Sequence, residues 1–203
     1  MGCFCSTMNR IYVQPLFTAT DISCLTQSWN ILKNHDIIKF ADEVLIKGMH
    51  RSSNLRQFWT SRMVIDSNNY DYSQGESCLR TDLSWLIGLR EHSIHFTMTF
   101  DKLISSINDE KLLLIQIQSL QLLQNISTLE YDSLIILKQC IIETIRERFQ
   151  MFKYNFVIDY DQAWNKFLSF IIKYLLEKKD KIRGPTKIII SPATNIDQTS
   201  SNK

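Results

Sequence analysis

Apolar residues recur at intervals of three and four along most of the chain, the spacing that gathers them on one face of a helix. Leu25, Trp29, Leu32 and Ile37, followed by Phe40, Val44 and Leu45, predict two consecutive helices over about 22–50. A short helical turn is expected at 53–59. Residues 67–75, rich in Asn, Ser and Tyr, read as the main internal loop. A long helix over about 80–107 then carries Leu83, Leu86, Leu89, Phe96, Phe100, Leu103, Ile104 and Ile107 on its apolar face, and Asn108-Asp109 breaks it. Further helices are predicted at about 110–125, 129–150 and 160–182, the last bearing Trp164, Leu168, Ile171, Ile172 and Leu175. Thr18-Ala19-Thr20-Asp21 has the form of a helix start, and Gly184-Pro185 that of a helix stop. The unequal lengths favour a helical globule over an up-and-down bundle.

Composition supports the all-helical reading and removes several alternatives. The 203 residues include only five glycines and three prolines, and Pro15, Pro185 and Pro192 all lie near the ends. Turn-dense all-β and collagen-like folds need far more of both. Net charge is +2 with the signs interspersed, so there is no basic field for nucleic acid. Hydrophobic residues at 44% exceed those of a disordered chain. No uncharged apolar run is long enough for a transmembrane helix. The cysteines, Cys3, Cys5, Cys24, Cys78 and Cys140, form no C-x-x-C pair, which argues against a zinc site or disulfide framework and for a reducing compartment. No G-x-S-x-G, H-E-x-x-H, Walker or G-x-G-x-x-G motif occurs. A conventional enzyme is not expected.

The chain divides into an N-terminal tether (1–20), a helical body (21–183) and a disordered polar tail (184–203). Its start, Met1-Gly2-Cys3-Phe4-Cys5-Ser6, fits the pattern in which loss of Met1 exposes Gly2 to myristate. One myristoyl chain binds membranes only marginally. Cys3 and Cys5 are placed to take palmitate beside it, which predicts a lipoprotein on the cytoplasmic face of the plasma membrane. The alternative is a coincidental Met-Gly start with two idle thiols. Lys178, Lys179, Lys181, Arg183 and Lys187 cluster near the end of the body. They read either as attraction to anionic lipid or as a solvated helix end.

Specific residues give the body a family resemblance. Trp29 precedes Phe58 by 29 positions, with two helices and the start of a third between them. Leu89-Arg90-Glu91-His92 is followed by Phe96, by Asp101 after 9 residues from His92, and by Asp109 after 17. Ala163-Trp164 opens the last helix. In order and spacing these positions resemble the globin family, in particular invertebrate and neuroglobin-like members, and the tether resembles that of acylated, membrane-bound nematode globins. The resemblance covers roughly 20–180. It implies an all-α, globin-like fold of six to eight helices, with Phe58 wedging a haem and His92 at the distal position.

One departure is decisive for the chemistry. Globin haem iron is held by a proximal histidine, and the corresponding interval of 32 residues from His92 ends on Gln124. The four histidines are His35, His50, His92 and His95, so none follows position 95. His92 and His95, three residues apart on one helix, cannot sandwich a haem. Three outcomes stay open: His92 is the sole strong axial ligand, haem is held by apolar contacts alone, or no haem binds. The first expectation is a membrane-anchored, haem-binding protein for oxygen or gas sensing, redox signalling or electron transfer. The second is a haem-less globin-fold interaction module, and the third an unrelated helical adaptor.

Overall fold

The computed structural model describes residues 15–63, 83–119 and 129–183. Within them lie seven helices and no strand: α1 (Ala19–Lys33), α2 (Ile37–Arg51), α3 (Ser53–Met63), α4 (Leu83–Ser105), α5 (Glu110–Ser119), α6 (Tyr131–Met151) and α7 (Ile158–Arg183). The expected helices are all present, with shifted ends. The third runs past Trp59 to Met63. The 67–75 loop, Gln124, Gly2, Cys3 and Cys5 lie outside the described residues.

Local chemistry sets the boundaries. Thr18 caps α1 through a reciprocal box: its hydroxyl accepts from the Asp21 backbone N–H at 3.1 Å, and the Asp21 carboxylate accepts from the Thr18 N–H at 2.8 Å. The chain turns into α2 at Asp36, in the left-handed region at φ 57°, whose side chain accepts from the Lys39 N–H. Aspartate tolerates that conformation better than most residues. Ser52 closes α2 and opens α3 at once. Its N–H donates to the Gly48 carbonyl, and its hydroxyl accepts from the Leu55 N–H. Asp109 caps α5 by accepting from the Leu112 N–H at 3.0 Å, so the expected helix breaker also starts the next helix. At the α6–α7 corner Lys153 takes φ 59°, and the Tyr154 N–H donates back to the Phe149 carbonyl, closing the end of α6.

The order of packing is not the order of the chain. α1 lies against α7, while α2 contacts α3, α4 and α6. α2 packs far more on α4 and α6 than on α1, unlike an up-and-down bundle, in which each helix packs on its neighbours in sequence. At the centre is an aromatic cluster drawn from four helices. Trp29 (α1) has Phe40 (α2), Phe100 (α4) and Trp164 (α7) at centroid distances of 6.3, 5.9 and 6.3 Å. Phe96 stacks on Phe100 at 4.6 Å, and Phe167 closes the far side. The cluster's polar edges are satisfied: Trp164 Nε1 donates to Ser28 Oγ at 2.8 Å, and Ser28 donates in turn to the Cys24 carbonyl.

Phe17, just ahead of α1, is buried against Phe167 and Phe170. One expected core position is corrected. Leu86 is 46% exposed, as are Ile87 and Met98 at similar levels. The buried line of α4 runs instead through Leu89, Ser93, Thr97, Phe100 and Ile104. Ser93 and Thr97 lie in that line although both are polar, so apolarity alone misplaced its start.

Candidate functional site

Phe58 and Trp59 sit side by side on α3, both buried, with ring centroids 5.9 Å apart. Trp59 reaches α2 because residue 48 is glycine: a methyl group there would stand 3.2 Å from Trp59 Cζ3 and 3.4 Å from Leu55. α3 packs on α4, which carries His92 half-buried and His95 exposed. His92 and Phe96 are four residues apart, hence neighbours on one side of α4, and Phe96 continues into the aromatic cluster. α5 follows against α4 and buries Leu113 and Ile117. Phe58, His92 and the buried Leu113 and Ile117 thus sit on three helices that pack in succession, α3 on α4 and α4 on α5.

Donor chemistry decides what this arrangement accepts. The described part of α5 holds no His, Cys or Met, and Gln124 lies beyond it. Haem iron would therefore find one strong nitrogen donor, His92, on the α4 side. A haem held there would have His92 as its nitrogen donor, with Phe58 and Phe96 as the aromatic residues of α3 and α4 available for apolar contact. No group of three or more His, Cys, Asp or Glu that could hold a metal ion occurs among the described residues. His35, in the α1–α2 corner, stacks on Phe152 at 4.0 Å and lies edge-on to Tyr154 at 5.9 Å. Its role is to join two corners. His50 is exposed at the end of α2.

A separate groove of about 420 Å³ lies between α2 and α4, lined by Asp42, Leu86, Ile87, Leu89, Arg90 and Glu91. Arg90 and His92 are two residues apart and point to different sides of the helix. Leu89, one turn before His92, lies at the edge of the groove.

Asp101 fastens α4 to α1. Its Oδ1 accepts from Trp29 Nε1 at 3.0 Å and from Lys33 Nζ at 2.8 Å. These bonds, led by that from Lys33, hold its carboxyl below the ordinary value of 3.8. A depressed folded-state pKa gives stability that is present above the unfolded value and lost as pH falls through the folded one. Asp101→Asn should therefore weaken the protein at pH 7, by under about 1 kcal/mol because the ion pair is half-exposed. Urea unfolding of both forms should show that gap closing as pH drops below the carboxylate range. A gap that widens in acid would contradict the assignment. Sequence reading used Asp101 only as a spacing mark, since nothing local links it to Trp29 across 72 residues.

The helix order and packing define a globin-like, all-α fold. Among solved structures, the chain is similar to a hexacoordinated haem protein from an anhydrobiotic tardigrade, determined at pH 4, with a TM-score of 0.58 and 13% identity over 79% of this chain and 94% of that one. At that identity the likeness is one of fold. No protein-family model and no curated protein matches the chain.

Proposed function

We propose that this chain is a haem-binding protein of globin-like fold, tethered to the cytosolic face of the plasma membrane by acylation of Gly2, Cys3 and Cys5. The observation that carries the haem reading is the half-buried His92 on α4, one turn before Phe96, in a fold shared with a haem protein. Haem supplies reversible binding of small gases and one-electron redox chemistry. In this reading His92 donates its imidazole nitrogen to iron, Phe58 and Phe96 pack on the porphyrin, and the apolar wall of α5 limits water. The solved neighbour is hexacoordinated, whereas this chain has no second imidazole for the opposite side. The sequence resemblance offers Gln124, a weak donor, where a globin has its proximal histidine, which would leave a second ligand to water or a gas. Such a site suits gas sensing, redox signalling or electron transfer, and a membrane tether fits those roles better than bulk oxygen storage.

Titration of the purified chain with haemin tests the cofactor. The expected result is a sharp Soret band that saturates at one haem per chain. A spectrum indistinguishable from free haemin, with circular dichroism still helical, would support the second reading, a haem-less interaction module. The absence of any histidine after His95 is the observation that favours that reading. The tether is tested apart from the haem. Gly2→Ala in cells should move the protein from the membrane fraction to the soluble one, and unchanged partitioning would remove the acylation.

No helix among the described residues is long and apolar enough to cross a membrane. Attachment in this reading therefore depends on the acylated end, and two or more chains are needed to make it stable.

A further inference from the structure

We propose that the outward face of α4 is the interface of a homodimer, in which two copies of this chain pair along their α4 helices about a two-fold axis. Leu86, Ile87, Ile94 and Met98 are 46%, 47%, 39% and 52% exposed. Large apolar side chains exposed singly are normal on a protein surface, whereas a contiguous row of them marks an interaction site. At 3.6 residues per turn, Ile87, Ile94 and Met98 fall within about 40° of one another around α4. The groove between α2 and α4 widens the apolar surface at the N-terminal end of this stripe, because Leu86, Ile87 and Leu89 line it. His92 and Phe96 are turned about 140° and 180° from Ile87, so a partner on the stripe leaves their side of the helix open.

The charges beside the stripe identify the occupant. Glu91 and Arg90, both exposed, flank it on opposite sides, about 40° and 60° from Ile87. An anionic membrane or a nucleic acid selects bases alone, and this face carries one charge of each sign. Such a face is complementary to itself when two copies lie side by side with their helices running in the same direction. A two-fold axis parallel to the helices then sets the Arg90 flank of each copy against the Glu91 flank of the other. Two reciprocal ion pairs form at one height of the seam.

The spacing agrees with that arrangement. Ile87, Glu91, Ile94 and Met98 follow one another at intervals of four, three and four, the alternation of core positions in a parallel two-helix seam. Arg90 precedes one of these positions, where a side chain reaches across to the facing helix. Within its own chain Arg90 has Asp42 at 3.6 Å and is 54% exposed, and a guanidinium with five N–H donors can serve a second carboxylate as well. From Leu86 to Met98 the face is about 18 Å long. One helix from each copy is a small contact, which sets this dimer among the weak, concentration-dependent ones.

Sedimentation equilibrium of the purified full chain, over rising concentration, reads the association. The mass should move from one chain toward two. Ile94→Ser combined with Met98→Ser should abolish that rise with the circular dichroism unchanged, because both side chains are exposed. Arg90→Glu and Glu91→Arg should each weaken association by about tenfold, since every dimer loses two exposed ion pairs. Mixing these two variants in equal amounts should restore association, and so should placing both substitutions in one chain, because in either case each arginine again faces a glutamate. A wild-type chain that stays monomeric up to about 1 mM, a serine variant that associates like the wild type, or a doubly swapped chain no better than the single variants would each overturn the proposal. A monomer that sediments with phosphatidylcholine vesicles would also overturn it and give the stripe to a membrane. None of these outcomes depends on haem or on acylation, so the haemin titration and the Gly2→Ala test stand apart from them.

Discussion

Trp164→Ala should destabilise the protein by about 3–5 kcal/mol, with a fall in Tm of roughly 10 °C. Trp164 is fully buried and stands among Trp29, Phe100 and Phe167, with centroids at 6.3, 6.3 and 6.0 Å. Truncation leaves a cavity where three helices meet, and the surrounding rings are too rigid to collapse into it. It also removes the Nε1 donor of Ser28. Ser28 still donates to the Cys24 carbonyl, so this second loss is small. Trp164→Phe should therefore cost far less, because most of the buried ring is retained. Urea unfolding followed by circular dichroism measures both. A cost for alanine below about 1 kcal/mol would mean that the cluster does not organise the core.

Glu43→Ala should cost about 3 kcal/mol, chiefly through its partner. Arg148 is 3% exposed, and its Nε donates to Glu43 Oε2 at 2.8 Å. Its guanidinium also lies 6.0 Å from the centroid of Phe152, and its Nη2 is buried without a hydrogen-bond partner. Without Glu43, a buried cation faces an apolar ring with no counter-charge. The double variant Glu43→Ala with Arg148→Met should recover most of the loss, since a buried pair replaced by apolar groups is often neutral. A double variant as unstable as the sum of the singles would contradict a coupling between them. The neighbouring pairs Lys47–Glu147 and Arg51–Glu143 are more exposed. Their single removal should change stability by under about 1 kcal/mol.

Legibility of the fold followed the range of each interaction. The Thr18–Asp21 box spans three residues and was readable from the sequence. So were the helices around Trp29, Phe40 and Trp164, because their apolar spacing is local. The Gly184-Pro185 stop lies outside the described residues, which end with α7 at Arg183. Leu86 was misplaced because hydrophobicity does not reveal where a neighbouring helix stops covering a face. Trp59 was passed over in favour of Phe58, although both are buried. Its signal was Gly48, eleven residues earlier, whose meaning depends on how α3 folds back on α2. The Glu43–Arg148 pair spans 105 residues and left no local mark.

The candidate site was legible in part for the same reason. His92 and Phe96 share a face by helix geometry, and the described structure keeps them together on α4. Phe58 is buried as expected. That no histidine follows His95 is a fact of the sequence that folding does not alter. It makes His92 the residue on which the haem reading depends.

The most direct test of that claim compares the haemin complexes of the wild type and His92→Ala, with circular dichroism recorded to confirm that both are folded. The account predicts a Soret band whose position shifts, or whose intensity collapses, when His92 is removed, and recovers on adding free imidazole. An identical Soret band in both proteins would show that iron is not held by His92 and would contradict the account.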